Sequence, residues 1–526
     1  MQNHQSAIPK RMLINTLSNY GKMIIGMGIT IFLTRILFLG LSREEYGFWA
    51  LLWSIFGYSL LLDFGFGTAV QKHTSESVVT QDWDKYNRVV STVFFNYVAF
   101  AFLIVVFAVV LSFNLGRFFG IAPENEAYFA KTIVLFGTGS AIAFPFGFFA
   151  EILRGLQKMH TRNIIQICYM LLNFIGMAIM MKLKQGLIGM VFVALGTNIL
   201  SSLTMMIVVH RLIPTFQLSP ANYDRSLLVS VMSFSLYAYL ITFTNIIILK
   251  TDQLVISVFG SVAMVAVYQI SIRLADTYQK FSAQFLDNLG PVAATLFAAG
   301  DKSKVNQILL QSNRLMGIIS SLLIVPIIVY VKPLLNIWLQ LDHPAGMICA
   351  MILLASMYVL LFFRSSSVYV LLMANEHRIL AFVAIIEALL NLGLSILFMK
   401  LLPVIFYTSK IPDIGMIGVA LGTFLPNFIL AFSFNIPKAC RFAGISISQY
   451  FRDVVLRTLI VSFISLGFAY FLGRIYYPGR LLIVLLYGAL TAVFYLILTY
   501  FIGLNGEERR QLSIAIKSRI APDKLR

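Results

Sequence analysis

Apolar runs long enough to cross a bilayer follow one another along nearly the whole chain, and polar positions collect in the short stretches between them. A spanning helix needs about 20 mostly apolar residues. On that measure the pattern predicts fourteen helices, at approximately 12–38, 46–71, 89–113, 132–153, 163–181, 187–209, 228–259, 264–294, 315–331, 346–373, 379–399, 414–436, 458–473 and 481–503. The connecting stretches reach only about twenty residues, which leaves no room for a soluble domain. The expected fold class is therefore an all-α polytopic membrane protein. The polar start, Met1 to Arg11, leads into a run too long for a signal-peptide core and lacks a small-residue cleavage site, so it is expected to be retained as a spanning helix.

Three patterns recur in the same order roughly 220 residues apart, which is the mark of an internal repeat. Asp82-x-x-Lys85-x-Asn87 returns as Asp301-x-x-Lys304-x-Asn306, and Leu171-Leu172-Asn173 returns as Leu389-Leu390-Asn391. Val193-Ala194-Leu195-Gly196-Thr197 is repeated verbatim as Val419-Ala420-Leu421-Gly422-Thr423. The expected organisation is a cytoplasmic N-terminus at 1–11, a six-helix bundle at 12–212, a second six-helix bundle at 213–440, and two extra helices with a basic cytoplasmic tail at 441–526. An even number of spans per half makes the repeats parallel. Transporters of that kind place substrate between the halves and rock one against the other.

Composition agrees with the pattern: 59% of residues are apolar, 12% are charged and the mean hydropathy is +0.85. The net charge of +18 invites a nucleic-acid reading. Most of the 40 Lys and Arg fall in loops on one side, however, and the positive-inside rule then puts both termini in the cytoplasm. Topology accounts for the excess, and no nucleic-acid partner is expected. Cys168, Cys349 and Cys440 are scattered without metal spacing.

Charges inside apolar runs are costly unless paired or facing water, so they are the first functional candidates. The bases are Lys22, Arg35, Lys250, Arg273, Lys280 and Arg364; the acids are Asp63, Glu151, Asp252, Asp276, Asp287 and Glu387. In the eighth run Gln269, Arg273, Thr277, Lys280, Gln284 and Asp287 share an arc of roughly 80° on a helical wheel. Ser235, Tyr239, Thr242 and Lys250 gather on one side of the seventh, and both faces are expected to line a central cavity. Asp276 is also spaced for a local ion pair with Arg273 or Lys280. Glu151 and Arg154, three apart, are expected to pair locally. Arg364 and Glu387 are either cavity residues or partners for each other. Lys22 and Arg35 sit about 140° apart on one wheel, so a single cavity takes both only if the helix bends near Gly26 and Gly28. Trp49, Trp53, Trp338, Tyr476 and Tyr477 are expected to be interface anchors.

Enzyme chemistry is not indicated. There is no G-x-x-x-x-G-K-[ST], no H-E-x-x-H, no G-x-S-x-G, and the six histidines lie in tails and loops. No cofactor and no metal site is expected. A membrane glycosyltransferase or polymerase would normally need a sizeable loop bearing acids or bases, which this chain lacks.

Thr34-Arg35-Ile36-Leu37, Glu45-Tyr46-Gly47 and Leu62-Asp63-Phe64-Gly65-Phe66-Gly67 resemble the opening unit of the polysaccharide transporter family, the Wzx-type O-antigen flippases of the MOP superfamily. Thr251-Asp252-Gln253, followed by Gly260 and Tyr268, looks like the second-half counterpart. Phe38-Leu39-Gly40 departs slightly from the family's usual Leu-Gly. The resemblance covers essentially the whole chain and implies two pseudo-symmetric bundles plus two helices. It implies translocation of an undecaprenyl-pyrophosphate-linked oligosaccharide across a bacterial inner membrane for O-antigen, capsule or exopolysaccharide synthesis, driven by a proton or sodium gradient. The implied partners are that glycan, the bilayer, and the polysaccharide polymerase and chain-length machinery. Cavity bases would offset the lost hydration of the pyrophosphate, so Lys22, Arg35, Lys250, Arg273, Lys280, Arg364, Tyr239 and Gln269 are the expected substrate contacts. Asp63, Asp252, Asp276, Asp287 and Glu387 are the expected ion-coupling acids. A MATE-type drug or cation antiporter and a lipid II flippase are the alternatives.

Overall fold

The computed structural model describes residues 7–283, 302–373, 376–408, 410–504, 506 and 508–510. Among the described residues a helix falls on each expected range, the eighth only as far as Ala283. Among the described residues, eleven helices are long and apolar enough to cross a membrane, or twelve if the bent pair Arg43–Asp63 and Phe66–Thr80 forms one span. The seventh and eighth ranges fall on Arg225–Phe259 and Val262–Ala283, outside that count. Contacts divide the chain into two compact units, Met1–Gln269 and Ile270–Arg526. The division falls within Val262–Ala283, so Arg225–Phe259 groups with the first unit.

The first unit contains α1 (Ala7–Gly40), α2 (Arg43–Asp63, whose last turns from Phe56 are a 3-10 helix), α3 (Phe66–Thr80), α4 (Trp83–Ser112), α5 (Pro123–Gly155), α6 (Met159–Lys182), α7 (Gly186–Leu212) and α8 (Arg225–Phe259), with the start of α9 (Val262–Ala283). Polar side chains three or four apart join α1 to α6. His160 N donates to Asn15 Oδ1 at 3.0 Å, Asn163 Nδ2 to Ser18 Oγ at 2.9 Å and Asn19 Oδ1 at 2.6 Å, and Lys22 Nζ to Gln166 Oε1 at 2.5 Å. Each such bond satisfies groups that lipid cannot. α2 opens on a capping box, with Ser42 Oγ accepting from Glu45 N and Glu45 Oε2 from Ser42 N, both at 3.1 Å.

Glu45-Tyr46-Gly47 now has a physical reason. Glu45 closes the cap and also accepts from Tyr128 OH at 2.9 Å, and Tyr46 is buried with its ring edge-on to Phe38. A Cβ on Gly47 would sit 1.9 Å from the carbonyl oxygen of Val262, so α9 begins against α2 only because this residue is glycine. Trp49 is not an interface anchor: it is buried, edge-on to Trp53 and Phe136. Its indole fills the α2–α5 contact, where aromatic area is worth more than an interfacial position. Tyr476 and Tyr477 are exposed, as anchors would be.

The second unit carries the rest of α9, then α10 (Lys302–Val329), α11 (Pro344–Leu372), α12 (His377–Ile405), α13 (Gly415–Ala443), α14 (Ile447–Ile475) and α15 (Leu481–Gly503). The last two helices pack where Tyr330, following α10, donates from its hydroxyl to Ala469 O at 2.7 Å in a cluster with Val484.

The repeated motifs meet in space in the same way within each unit. Asn173 Nδ2 donates to Thr197 Oγ1 at 2.9 Å, and that hydroxyl donates to Val193 O at 2.7 Å. In the second unit Asn391 Nδ2 donates to Thr423 Oγ1 at 3.0 Å, and Thr423 Oγ1 to Val419 O at 3.4 Å. Leu-Leu-Asn and Val-Ala-Leu-Gly-Thr are therefore two sides of one helix-pair lock, used twice. The loop motif has its own role: Asp82 caps α4 by accepting from Lys85 N at 3.0 Å, while Asn87 donates to Thr215 O at 2.8 Å and accepts from Gln217 N at 3.1 Å. Asp301, its counterpart, lies outside the described residues.

Gly47→Ala should lower stability by about 1–3 kcal/mol, the usual cost of overpacking a tight contact. Thermal unfolding of purified protein in detergent checks this, and an unchanged midpoint would mean that α9 yields there freely.

Candidate functional site

The break between α2 and α3 builds the site. α2 narrows to a 3-10 helix over Phe56–Asp63, then Phe64 (φ +46°) and Gly65 (φ +80°) take left-handed conformations before α3 restarts 47° away. Glycine at 65 meets this geometry without penalty, whereas Phe64 bears roughly 1–2 kcal/mol of strain. Broken helices are tolerated at membrane depth only where protein or water satisfies their ends. Here the Asp63 carboxylate accepts from Gly67 N at 3.2 Å, and Tyr97 of α4 donates its hydroxyl to the same oxygen.

A cavity of about 620 Å³ opens beside this break. α5 contributes Glu151 and Arg154, paired at 2.9 Å. α7 contributes Asn198 and Ser202, and α8 contributes Lys250, whose stem lies over Gly57 with Cε 3.0 Å from where a Cβ would stand. Glu151 Cγ and the Asp63 carboxylate flank Gly67, each 3.4–3.7 Å from where its Cβ would project. Two carboxylates and two cations thus meet one chamber, with Tyr97, Asn198 and Ser202 as neutral hydrogen-bonding groups. Such a lining suits a ligand carrying both negative charge and many hydroxyls.

A family profile described as polysaccharide biosynthesis protein matches residues 32–340, which include this chamber. The chain belongs to that family. Solved structures of MOP superfamily transporters share its fold. It is similar to the lipid II flippase MurJ in an inward closed conformation (TM-score 0.69, 14% identity, 93% of this chain and 99% of that one). It is similar to an inward-facing multidrug resistance MATE family transporter (TM-score 0.61, 14% identity, 79% and 95%). A MOP superfamily transporter from Pyrococcus furiosus, described as having a binding pocket of reversed polarity, also matches (TM-score 0.55, 14% identity, 82% and 96%). At such identities the likeness is one of fold. No curated protein matches the chain.

Of the expected site residues in this family member, Asp63 and Lys250 line the chamber. Lys22 lies on α1 against Gln166, within electrostatic reach of Arg154 and Arg162. Asp252 is buried and accepts from Tyr268 OH at 2.7 Å, while Gln269 is buried and accepts from Gln253 Nε2, so Asp252-Gln253 and Tyr268-Gln269 stitch α8 to α9. Arg35, Arg273, Asp276 and Lys280 are not among the lining residues, and Lys280 is exposed. Asp287 and the side chain of Tyr239 lie outside the described residues, as do Gln284 and the side chains of Ser235 and Thr242. Arg364 and Glu387 are partners: Arg364 Nη1 donates to Glu387 Oε1 at 2.5 Å and to Asn427 Oδ1 at 3.3 Å, and Asn427 Nδ2 donates to Ser356 O at 2.8 Å. Arg364 ends a π-helical turn, Val359–Arg364, which re-aims it across the unit. Sequence reasoning did not single out Tyr97, Asn198 or Ser202. Nothing in their helices' periodicity distinguishes them from packing residues.

Arg364→Ala or Glu387→Ala alone should cost about 3–5 kcal/mol, because each leaves a buried charge without its partner. The double variant Arg364→Met, Glu387→Leu should recover most of that loss. Unfolding in detergent measures both, and singles as stable as the wild type would show the pair to be solvated.

Proposed function

We propose that this protein is a flippase that moves an undecaprenyl-pyrophosphate-linked oligosaccharide from the cytoplasmic to the outer leaflet of a bacterial inner membrane. It works by alternating access of two six-helix halves, with fourteen spans and both termini cytoplasmic, driven by a proton or sodium gradient. The glycan serves O-antigen, capsule or exopolysaccharide synthesis.

One observation carries the reading: a member of the polysaccharide biosynthesis family holds, beside a broken helix, a chamber whose lining combines Lys250 and Arg154 with uncharged polar groups. A pyrophosphate entering a low-dielectric slab loses hydration worth many kcal/mol, and charge-assisted hydrogen bonds from Lys and Arg offset it. The glycan's hydroxyls pair with Tyr97, Asn198 and Ser202, and Trp53 offers an aromatic face. Asp63 and Glu151 are the acids placed to exchange an ion with the chamber.

The decisive experiment places purified protein in vesicles with a pyrophosphate-linked glycan in one leaflet and measures its appearance in the other. Lys250→Ala and Arg154→Ala should each slow transport about tenfold or more, the equivalent of losing roughly 1.4 kcal/mol or more of binding to a charged group. Wild-type transport of an organic cation and none of the glycan lipid would favour the MATE-type antiporter instead. Asp63→Asn should abolish gradient-driven accumulation while leaving downhill movement. Unaltered response to the gradient would remove Asp63 from coupling.

A further inference from the structure

Three hydroxyl-bearing helix faces meet inside the second unit. α15 carries Thr491, Tyr495 and Thr499 at intervals of four residues, which puts them on one face. α14 presents Ser462 and Ser465, α10 presents Ser321, and all six side chains are buried. The Ser321 hydroxyl is bonded to that of Tyr358 from α11 at 2.8 Å. We propose that this junction of α10, α14 and α15 is a binding site for ordered water, a short file of molecules bridging hydroxyls that the protein does not match with one another.

A serine or threonine inside a helix commonly turns its hydroxyl back to the carbonyl four residues earlier. Three neighbours in these helices do so: Ser320 donates to Met316 O, Thr458 to Val454 O at 2.9 Å and Ser462 to Thr458 O at 2.7 Å. Ser465, Thr491 and Thr499 forgo that bond. Among the described residues their hydroxyls have no partner, nor has that of Tyr495, although all four are shut off from solvent. Tyr495 is the informative case. Its hydroxyl is close enough to interact with those of Ser321, Ser462 and Thr499, yet it lies at hydrogen-bond distance from none of them. A polar separation just beyond bonding distance is one that a single water spans. Native interiors match nearly all buried polar groups, so four such hydroxyls on one pair of helices call for a common partner.

The chemistry of the lining selects the occupant. Each lining group is a neutral hydroxyl that both donates and accepts, which suits water, whose buried molecules make about three hydrogen bonds to otherwise unmatched groups. No carboxylate stands among them to neutralise a metal ion, which would be left charged in a low-dielectric interior. Arg314, seven residues before Ser321 and so on nearly the same face of α10, lies toward one end, bonded to Glu508 and Asp453 O. A cation approaching from there would meet a guanidinium. Toward the other end Thr491 lies beside Tyr330, whose cluster with Ala469 and Val484 closes the file with hydrocarbon. Thr491 and Thr499 are about 12 Å apart along the helix, which leaves length for more than one molecule. Water held there ties the last two helices to α10 through exchangeable bonds as well as through apolar packing.

The site draws only on the second unit, and its test is independent of transport. A short pulse of X-ray-generated hydroxyl radicals is applied to the full chain in lipid nanodiscs, and modified residues are read by mass spectrometry. Radicals formed from bound water label the buried side chains beside it. Tyr495 should be modified about tenfold faster than Tyr86, an equally buried tyrosine whose hydroxyl is partnered by Thr74 at 3.2 Å. Equal rates in the wild type would overturn the site and show the junction to be dry or its helices closed directly on one another. The double variant Thr491→Val, Thr499→Val keeps the side-chain shapes and should slow modification of Tyr495 severalfold while leaving Tyr86 unchanged. Fast modification of Tyr495 that survives both substitutions would overturn the assignment of these threonines to the file. The wild-type comparison needs no variant, so misfolding of the double variant cannot hide the result.

Discussion

A charge inside a low-dielectric slab must be paired or wetted, and this chain meets that constraint in two physically distinct ways. Arg364 is bound to Glu387 and Asn427, and buried Arg314 to Glu508 and, at 2.5 Å, to Asp453 O. Those cations serve the packing of the second unit. The first unit instead gathers Asp63, Glu151, Arg154 and Lys250 around an open volume. The Glu151–Arg154 bond leaves both groups on the cavity wall. A ligand there competes with a partly exposed pair, which costs far less than breaking a buried one.

The helix break makes that volume. A continuous helix from Arg43 to Thr80 would present alternating faces to its neighbours and pack closely along its length. Instead, the 3-10 turns narrow the helix, and the left-handed residues Phe64 and Gly65 swing α3 aside. Asp63 then caps the new helix start while its neighbours line the cavity. One local conformational choice thus opens the chamber and supplies its acid. The strain at Phe64 persists because its surroundings over-determine it: Phe64 packs on Phe66 and Phe100, against an aromatic-rich core cluster of the unit.

Helix positions could be read directly from the apolar runs, because in lipid a spanning segment satisfies its own backbone and length alone decides it. The repeat could also be read, since the Asn–Thr lock needs the same residues at the same spacing in both copies. What periodicity could not give was the neighbour. A wheel shows that Gln269 and Arg273 share a face, yet it does not show that Gln269 accepts from Gln253. The same limit applies to Trp49, whose place near a helix end resembled an anchor until Phe136 was seen beside it. The Tyr-Gly and Asp-x-Gly-x-Gly motifs identified the family correctly, but their reasons, a carbonyl 1.9 Å from a missing Cβ and a left-handed helix restart, are properties of three-dimensional contact.

Duplication followed by divergence explains why the two copies of one scaffold carry different chemistry. After the shared Val-Ala-Leu-Gly-Thr, the first copy continues Asn198-Ile199-Leu200-Ser201-Ser202 and the second Phe424-Leu425-Pro426-Asn427. Asn198 and Ser202 face the chamber, whereas Asn427 is committed to Arg364 and Ser356. The lock itself, Asn to Thr to Val carbonyl, is retained in both. A ligand shifts a conformational equilibrium only by its difference in affinity between states. On the flippase reading, that difference arises where polar groups line the chamber of the first unit.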